Sequence, residues 1–124
     1  MKLSESINFV SFYDKIKSQS MSMAAAYKLA KIYQKAKEDE TFYQEKLREI
    51  LFQYGELDEN GNLIPIEDGK GIKLKPEGQE ECIKAITELQ DTESSIKFEP
   101  LSFDDLKNVE IAPNELEGVM KFFA

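Results

Sequence analysis

The sequence predicts an α+β fold in one domain, residues 1–124. A helical N-terminal half with one long helix is expected, then a small antiparallel sheet or meander with two or three further helices. Residues 22–54 contain no Gly or Pro and repeat apolar side chains at helical spacing. After residue 55, short alternating apolar segments lie between Gly, Pro and Asn residues, a pattern typical of short strands. The 124 residues are 41% hydrophobic and 32% charged, the composition of a folded chain.

Two helices are predicted in the N-terminal half. Residues 3–16 carry a broad apolar face and end before a serine-rich turn at residues 18–22, where Ser22 can cap the next helix. That helix extends to Tyr54 and is about 50 Å long at 1.5 Å per residue. Because this exceeds the diameter of a globule of this size, the helix either bends near residues 37–40 or projects and pairs with a partner.

Apolar side chains recur at heptad spacing along the long helix, over about four heptads, with a break at Glu40. This stripe either packs on the first and last helices of the same chain or pairs with a second copy in a homo-oligomer. The candidates for an oligomer or partner interface are Leu29, Tyr33, Ala36, Tyr43 and Leu47.

Gly55 is placed where a helix ends, and the Asn60-Gly61 pair predicts a type I′ turn. A second turn is predicted at residues 67–71. The predicted strands are residues 63–66, 72–74, 96–98 and 109–111.

Pro76 and Pro113 suit the first turns of two further helices. Between them, Ser102 and Asp105 resemble a capping box at the start of a short helical turn. The apolar face predicted for the helix after Pro76 comprises Cys82, Ile83, Ile86 and Leu89. The inward side chains predicted for the last helix are Leu116, Val119, Met120 and Phe123.

The amino-acid composition excludes several common kinds of catalytic and metal site. The chain has no histidine, which excludes His-based general base catalysis and ordinary zinc sites. Cys82 is the only cysteine, and neighbouring carboxylates favour a structural thiol over a reactive one. Asp58, Asn60 and Asn62 start like a calcium loop, but the sixth and twelfth positions are Leu63 and Gly69, where Gly and Glu are required. The sequence therefore predicts no catalytic residues, no metal site, no cofactor and no enzymatic activity.

Charge is distributed unevenly. Residues 1–54 have nine Lys and Arg against seven Asp and Glu, a net charge of +2, whereas residues 55–124 have seven against seventeen, a net charge of −10. This asymmetry favours head-to-tail self-association or capture of a basic partner, and the total of −8 disfavours nucleic acid as a partner. The basic-face candidates are Lys28, Lys31 and Lys35, and the acidic-face candidates are Glu80, Glu81, Asp104 and Asp105.

No apolar run approaches the length of about 20 residues that a membrane span needs, and the N-terminus lacks the pattern of a signal peptide. We therefore expect a cytoplasmic protein that does not enter a membrane.

Over roughly residues 20–123, three segments, with an acidic helix between the first two, resemble small acidic, helix-rich proteins encoded by phages and prophages of Gram-positive bacteria. These segments are Tyr54-Gly-Glu-x-Asp58-Glu-Asn-Gly-Asn62, Phe98-Glu-Pro-Leu-Ser102-Phe-Asp-Asp-Leu106 and Val109-Glu-Ile-x-Pro-x-Glu-Leu116. The resemblance implies an accessory protein of the phage in the host cytoplasm, and it transfers no catalytic residue.

Three functions fit these observations. The first is non-catalytic binding that inhibits or modulates a bacterial host or defence protein, in which an acidic face imitates a nucleic-acid backbone. The second is a virion structural or assembly factor, and the third is a protein that sequesters a small-molecule or nucleotide signal.

Overall fold

The computed structural model describes residues 1–66, 69 and 71–124, and these residues form four α-helices and three short 3-10 turns. The helices are α1 (Leu3–Ile16), α2 (Met23–Tyr54), α3 (Gln79–Asp91) and α4 (Pro113–Glu117). The 3-10 turns are Pro76–Gly78, Phe103–Leu106 and Met120–Phe122. Two compact units result, the first from residues 1–41 and 92–124 and the second from residues 42–91. The division does not follow the predicted change of character at residue 55.

The predicted first two helices are confirmed. The helix α2 is continuous over 32 residues, which corresponds to about 48 Å, and it runs unbroken through residues 37–40. Ser22 caps its start, because its Oγ accepts a hydrogen bond from the backbone N–H of Ala25 at 3.1 Å. Each of the two units contains part of this helix.

The core of the first unit joins the two N-terminal helices to the C-terminal segment. Phe122 is fully buried, and its ring centroid lies 4.8 Å from that of Phe9 in α1 and 4.8 Å from that of Phe98. The backbone N–H of Leu101 donates to the carbonyl of Phe122 at 2.7 Å, which fixes the C-terminus beside the returning chain. The other buried members of this core are Val10, Phe12, Ile16, Leu29, Ile32, Ala36, Leu101, Leu106 and Val119.

The predicted inward face of the last helix is partly wrong. The helix α4 ends at Glu117, and a separate 3-10 turn follows it. Because the helical period is interrupted, Phe122 enters the core while Met120 is 44% exposed. Val119 is buried, as predicted.

The predicted antiparallel sheet does not form, and the α+β class is wrong for the described residues. Helices cover 61% of them, whereas isolated β-bridges account for 8% and no strand is present among them. The segments 96–98 and 109–111 contain no bridge. Their alternation has another cause, since the apolar side chains pack against the helical core of the first unit. These side chains are Ile96, Phe98, Val109 and Ile111.

In the second unit, three short segments meet in a closed cycle. Glu56 N–H donates to the carbonyl of Lys73 (2.8 Å), Lys73 N–H donates to Ile64 (2.7 Å), and Ile64 N–H donates to Glu56 (3.2 Å). Each segment therefore pairs with both others through single bridges. Pro65 lacks an N–H and limits one of these pairings. The bridges are Gly55–Leu74, Leu57–Leu63 and Pro65–Ile72.

Two glycines shape the connections of this unit. An ideal Cβ on Gly55 would lie 2.5 Å from the carbonyl oxygen of Leu51 and 2.6 Å from Leu63 Cδ2, so close approach of the chain requires glycine there. Gly61 has φ +79°, but no residue other than glycine has positive φ among the described residues, so the predicted type I′ turn is wrong. The predicted turn at residues 67–71 includes residues 67, 68 and 70, which lie outside the described part of the chain.

The apolar face of α3 was predicted correctly in part. Cys82 and Leu89 are buried, Ile86 is half-buried, and Ile83 is 63% exposed. Positions 82, 86 and 89 follow the helical period, which leaves position 83 at the margin of the face.

Replacing Phe122 by alanine should lower the free energy of unfolding by about 3–5 kcal/mol, because truncation of a buried aromatic ring leaves a cavity. Met120 in the same 3-10 turn is the matched control, and Met120→Ala should cost no more than about 1 kcal/mol. Urea denaturation measures both variants. Equal losses would contradict the inward placement of Phe122.

Ser6 is fully buried, and its hydroxyl has no hydrogen-bond partner among the described residues. Since a buried unsatisfied hydroxyl is costly and alanine favours a helix, Ser6→Ala should raise the free energy of unfolding by about 1 kcal/mol. The same urea titration measures this gain, and a clear loss of stability would show that the hydroxyl is satisfied in solution.

Candidate functional site

Three lysines of α2 line a groove in the first unit, with a volume of about 190 Å³. Their spacing of three and four residues places them on one face of the helix. The opposite wall comes from the segment that returns after residue 92, and it contributes an aromatic ring and a carboxylate. We call this the lysine groove, and its lining residues are Tyr27, Lys28, Lys31, Ile32, Lys35, Phe98 and Glu99.

Two of the three lysines bind the protein's own chain. Lys28 Nζ lies 3.0 Å from Asp105 Oδ2 and 3.9 Å from Glu99 Oε1, and it donates to the carbonyl of Pro100 at 3.4 Å. Lys35 Nζ donates to the carbonyl of Lys97. These two side chains therefore hold the segment 97–105 against α2. The charge of Lys28 is balanced by carboxylates, whereas Lys35 meets a neutral carbonyl.

Lys31 differs from its two neighbours. Its Nζ lies 5.4 Å from the ring centroid of Tyr27, a cation–π distance, and both side chains are exposed. Among the residues that the structure describes, Lys31 forms no ion pair. It is therefore the lysine of this groove that can receive an anion from outside.

The acidic-face candidates Asp104 and Asp105 lie in a 3-10 turn of the first unit, whereas Glu80 and Glu81 lie on α3 in the second unit. Asp105 accepts a hydrogen bond from the backbone N–H of Ser102 at 2.9 Å, and its own N–H donates to Ser102 Oγ at 3.3 Å, which confirms the predicted capping box. The hydrogen bond from Ser102 and, to a smaller extent, the nearby Lys28 ammonium lower the pKa of Asp105. Its neighbour Asp104 is exposed.

Glu80 and Glu81 lie in the first turn of α3, where the positive end of the helix dipole favours carboxylates. Both are exposed, and neither forms an ion pair among the described residues. Ile83 follows them on the same helix with 63% of its surface exposed. Glu80 and Ile83 are three residues apart and so share a helix face.

The interface candidates on α2 have different surroundings. Leu29 and Ala36 are fully buried in the core of the first unit, so neither can contact a partner, and here the packing alternative applies. Tyr33 is half-buried and stacks on Tyr13 of α1, with ring centroids 4.6 Å apart. The remaining candidates, Tyr43 and Leu47, belong to the second unit and are half-buried.

Sequence reasoning missed a larger cavity of about 330 Å³ that α1 and the α4 region line. Lys15 Nζ and Glu115 Oε1 form an ion pair there at 3.0 Å, and Asn8 Nδ2 donates to the carbonyl of Gly118 at 3.3 Å. These residues are about a hundred positions apart, so only the folded chain reveals the cavity. Lys15 pairs with Glu115 and Asn8 with Gly118, so these four polar groups are occupied within the chain.

Two further observations concern chemistry. Burial raises the pKa of the Cys82 thiol, which disfavours the reactive thiolate at neutral pH.

In the loop that resembles the start of a calcium site, Asp58 Oδ1 accepts hydrogen bonds from the backbone N–H groups of Asn60 (2.9 Å) and Asn62 (3.0 Å). The side chain therefore stabilises the turn.

Comparison with known proteins gives no relative. No protein-family model matches the chain, and no match was found among curated proteins or among solved structures. Within the described ranges, the helices lack the combination of length and apolar character that a membrane span requires.

Asp105→Asn should make the free energy of unfolding less sensitive to a fall in pH. Because the folded-state pKa of Asp105 is lowered, its charged form stabilises the fold above the unfolded-state value of about 3.9, and this stabilisation disappears as pH falls through the folded-state pKa. The difference in unfolding free energy between wild type and D105N should therefore be largest near neutral pH and shrink below about pH 4.

Urea titrations from pH 7 to pH 2.5 measure this difference. Asp104→Asn is the control, since the neighbouring carboxylate is exposed and should give a small difference at every pH. A D105N difference that stays constant with pH would contradict the pairing with Lys28 and Ser102.

Proposed function

We propose that the protein is a small phage-type accessory protein that acts by non-catalytic binding and inhibits or modulates a bacterial host or defence protein. The observation that supports this most directly is the exposed face at the start of α3. There, Glu80 and Glu81 are exposed beside the apolar side chain of Ile83. Carboxylates around an apolar anchor suit a basic protein surface with a small hydrophobic depression.

The distribution of charge between the units supports the same proposal. By sequence, residues 42–91 carry twelve Asp and Glu against six Lys and Arg, a net charge of −6. The rest of the chain carries twelve against ten, a net charge of −2. The acidic field is therefore concentrated in the unit that contains α3. Such a field speeds encounter with a basic partner and is screened by salt.

A basic nucleic-acid-binding site is the partner surface with the matching chemistry. Closely spaced carboxylates on a helix can occupy positions that phosphates would otherwise take, so binding would compete with nucleic acid. The contact needs no catalytic group on this chain.

The two alternatives have weaker support. A virion or assembly role was suggested by the resemblance to phage proteins and by the heptad stripe on α2, but Leu29 and Ala36 of that stripe are buried in the chain's own core. A signal-sequestering role would require a deep pocket with convergent basic groups. The lysine groove, at about 190 Å³, is smaller than typical small-molecule sites of about 300 Å³ or more, and two of its lysines bind the protein's own chain.

A pull-down from a bacterial host lysate should recover one stoichiometric partner at low salt and less of it as salt rises. Glu80→Gln combined with Glu81→Gln should reduce recovery by about tenfold, since two charges leave the contact face. Glu110→Gln with Glu117→Gln is the matched control, because these two exposed carboxylates belong to the other unit and the net charge changes equally.

Loss of the partner only in the α3 variant would support the proposal. Recovery of no stoichiometric partner, or equal reduction by both pairs of substitutions, would overturn it.

A further inference from the structure

The lysine groove combines an apolar interior with one available positive charge. Ile32 and the ring of Phe98 line the groove, and the exposed ring of Tyr27 stands at its rim beside the Lys31 ammonium. The cavity of about 190 Å³ has room for a side chain rather than for a drug-sized molecule. A matching ligand would therefore present one apolar side chain with a carboxylate next to it.

The electrostatics of the groove favour an acidic ligand. Glu99 and Asp105 balance the charge of Lys28, whereas Lys31 and Lys35 form no ion pair among the described residues. Lys35 already donates to the carbonyl of Lys97, so Lys31 is the ammonium that remains available. A ligand carboxylate near Lys31 would gain an ion pair without breaking one within the chain.

The same chain contains a surface with this chemistry. On α3, Glu80 and Ile83 share a face, Ile83 is 63% exposed, and Glu80 has no ion-pair partner among the described residues. Ile83 supplies the apolar side chain, and Glu80, one helical turn before it, supplies the carboxylate. Both the groove and this face are exposed in the single chain, so the groove of one molecule and the α3 face of another are free to meet.

We propose that the lysine groove of one copy binds the Glu80–Ile83 face of α3 of a second copy, with Ile83 in the groove and Glu80 paired with Lys31. The two contacting surfaces differ, so the association is head-to-tail. A head-to-tail contact continues beyond a dimer unless the rotation closes a ring. The contact is also polar at its rim, and therefore salt weakens it.

Sedimentation analysis of the full chain, from about 10 to 500 μM and at low and moderate salt, tests this contact. We expect the mass to rise with concentration at low salt, to pass the dimer or stop at a closed ring, and to fall when salt is added. A strict monomer over this range at low salt would overturn the proposal.

Charge reversal identifies the surfaces. Lys31→Glu should weaken association by about tenfold or more, because it places a carboxylate opposite Glu80. Lys107→Glu is the matched control, since it makes the same change of net charge at an exposed lysine outside the groove, and it should leave association close to that of wild type. Lys31 is exposed, so the variant should fold, which circular dichroism checks.

The double variant Lys31→Glu with Glu80→Lys restores opposite charges across the contact and should recover most of the association that Lys31→Glu loses. Unchanged association in K31E, equal loss in K107E, or no recovery in the double variant would each overturn the proposal.

This test is separate from that of the proposed function. Lys31→Glu leaves Glu80 and Glu81 intact, so a host partner held by the α3 face should still be recovered by this variant. Self-association and host binding would compete for the same face, because both use Glu80. Failure of one experiment therefore leaves the other interpretable.

Discussion

Insertion of the Phe122 ring between Phe9 and Phe98 is the contact on which the first unit depends. These three rings come from α1, from the segment after residue 92 and from the C-terminal turn, so one cluster joins parts of the chain that are far apart in sequence. The entropy lost in closing this long loop must be offset by the apolar surface buried at its ends. Further polar contacts accompany this closure, among them Ser94 Oγ donating to Asp39 Oδ2 at 2.6 Å.

The same closure gives the lysine groove its second wall. Phe98 contributes to the groove and its ring also packs against that of Phe122 in a tilted arrangement, so the ring that a ligand would meet is held by the core. Lys28 and Lys35 then bind the backbone on either side of this ring. Two of the three lysines predicted to form a basic binding face, Lys28 and Lys35, thus have a structural role: they hold the returning segment in place.

The sequence predicted the features that depend on local periodicity. The ranges of α1 and α2, the Ser22 cap and the Ser102–Asp105 capping box all follow from neighbouring residues, and all are confirmed. The strands failed because alternating apolar side chains can pack on helices without any backbone pairing, as at Ile96 and Phe98. The roles of Lys28 and Lys35 could not be predicted, since their partners are about 60 to 80 positions away and include backbone carbonyls, which carry no sequence signal.

Burial in the first half of α2 also limits where a partner can bind this helix. The core buries four side chains of this part of α2, so an interface here must use another face of the helix. These side chains are Ala25, Leu29, Ile32 and Ala36. Exposed Met23, Tyr27 and Lys31 recur at intervals of four residues on such a face, and the first two are 85% and 65% exposed. One stripe of α2 is therefore buried in the chain's own core, whereas another face exposes large apolar side chains beside the available Lys31 ammonium. This second face suits an acidic, partly apolar partner. In this half of α2, the heptad pattern identified side chains that pack in the chain's own core, whereas the exposed side chains that could contact a partner lie outside that pattern.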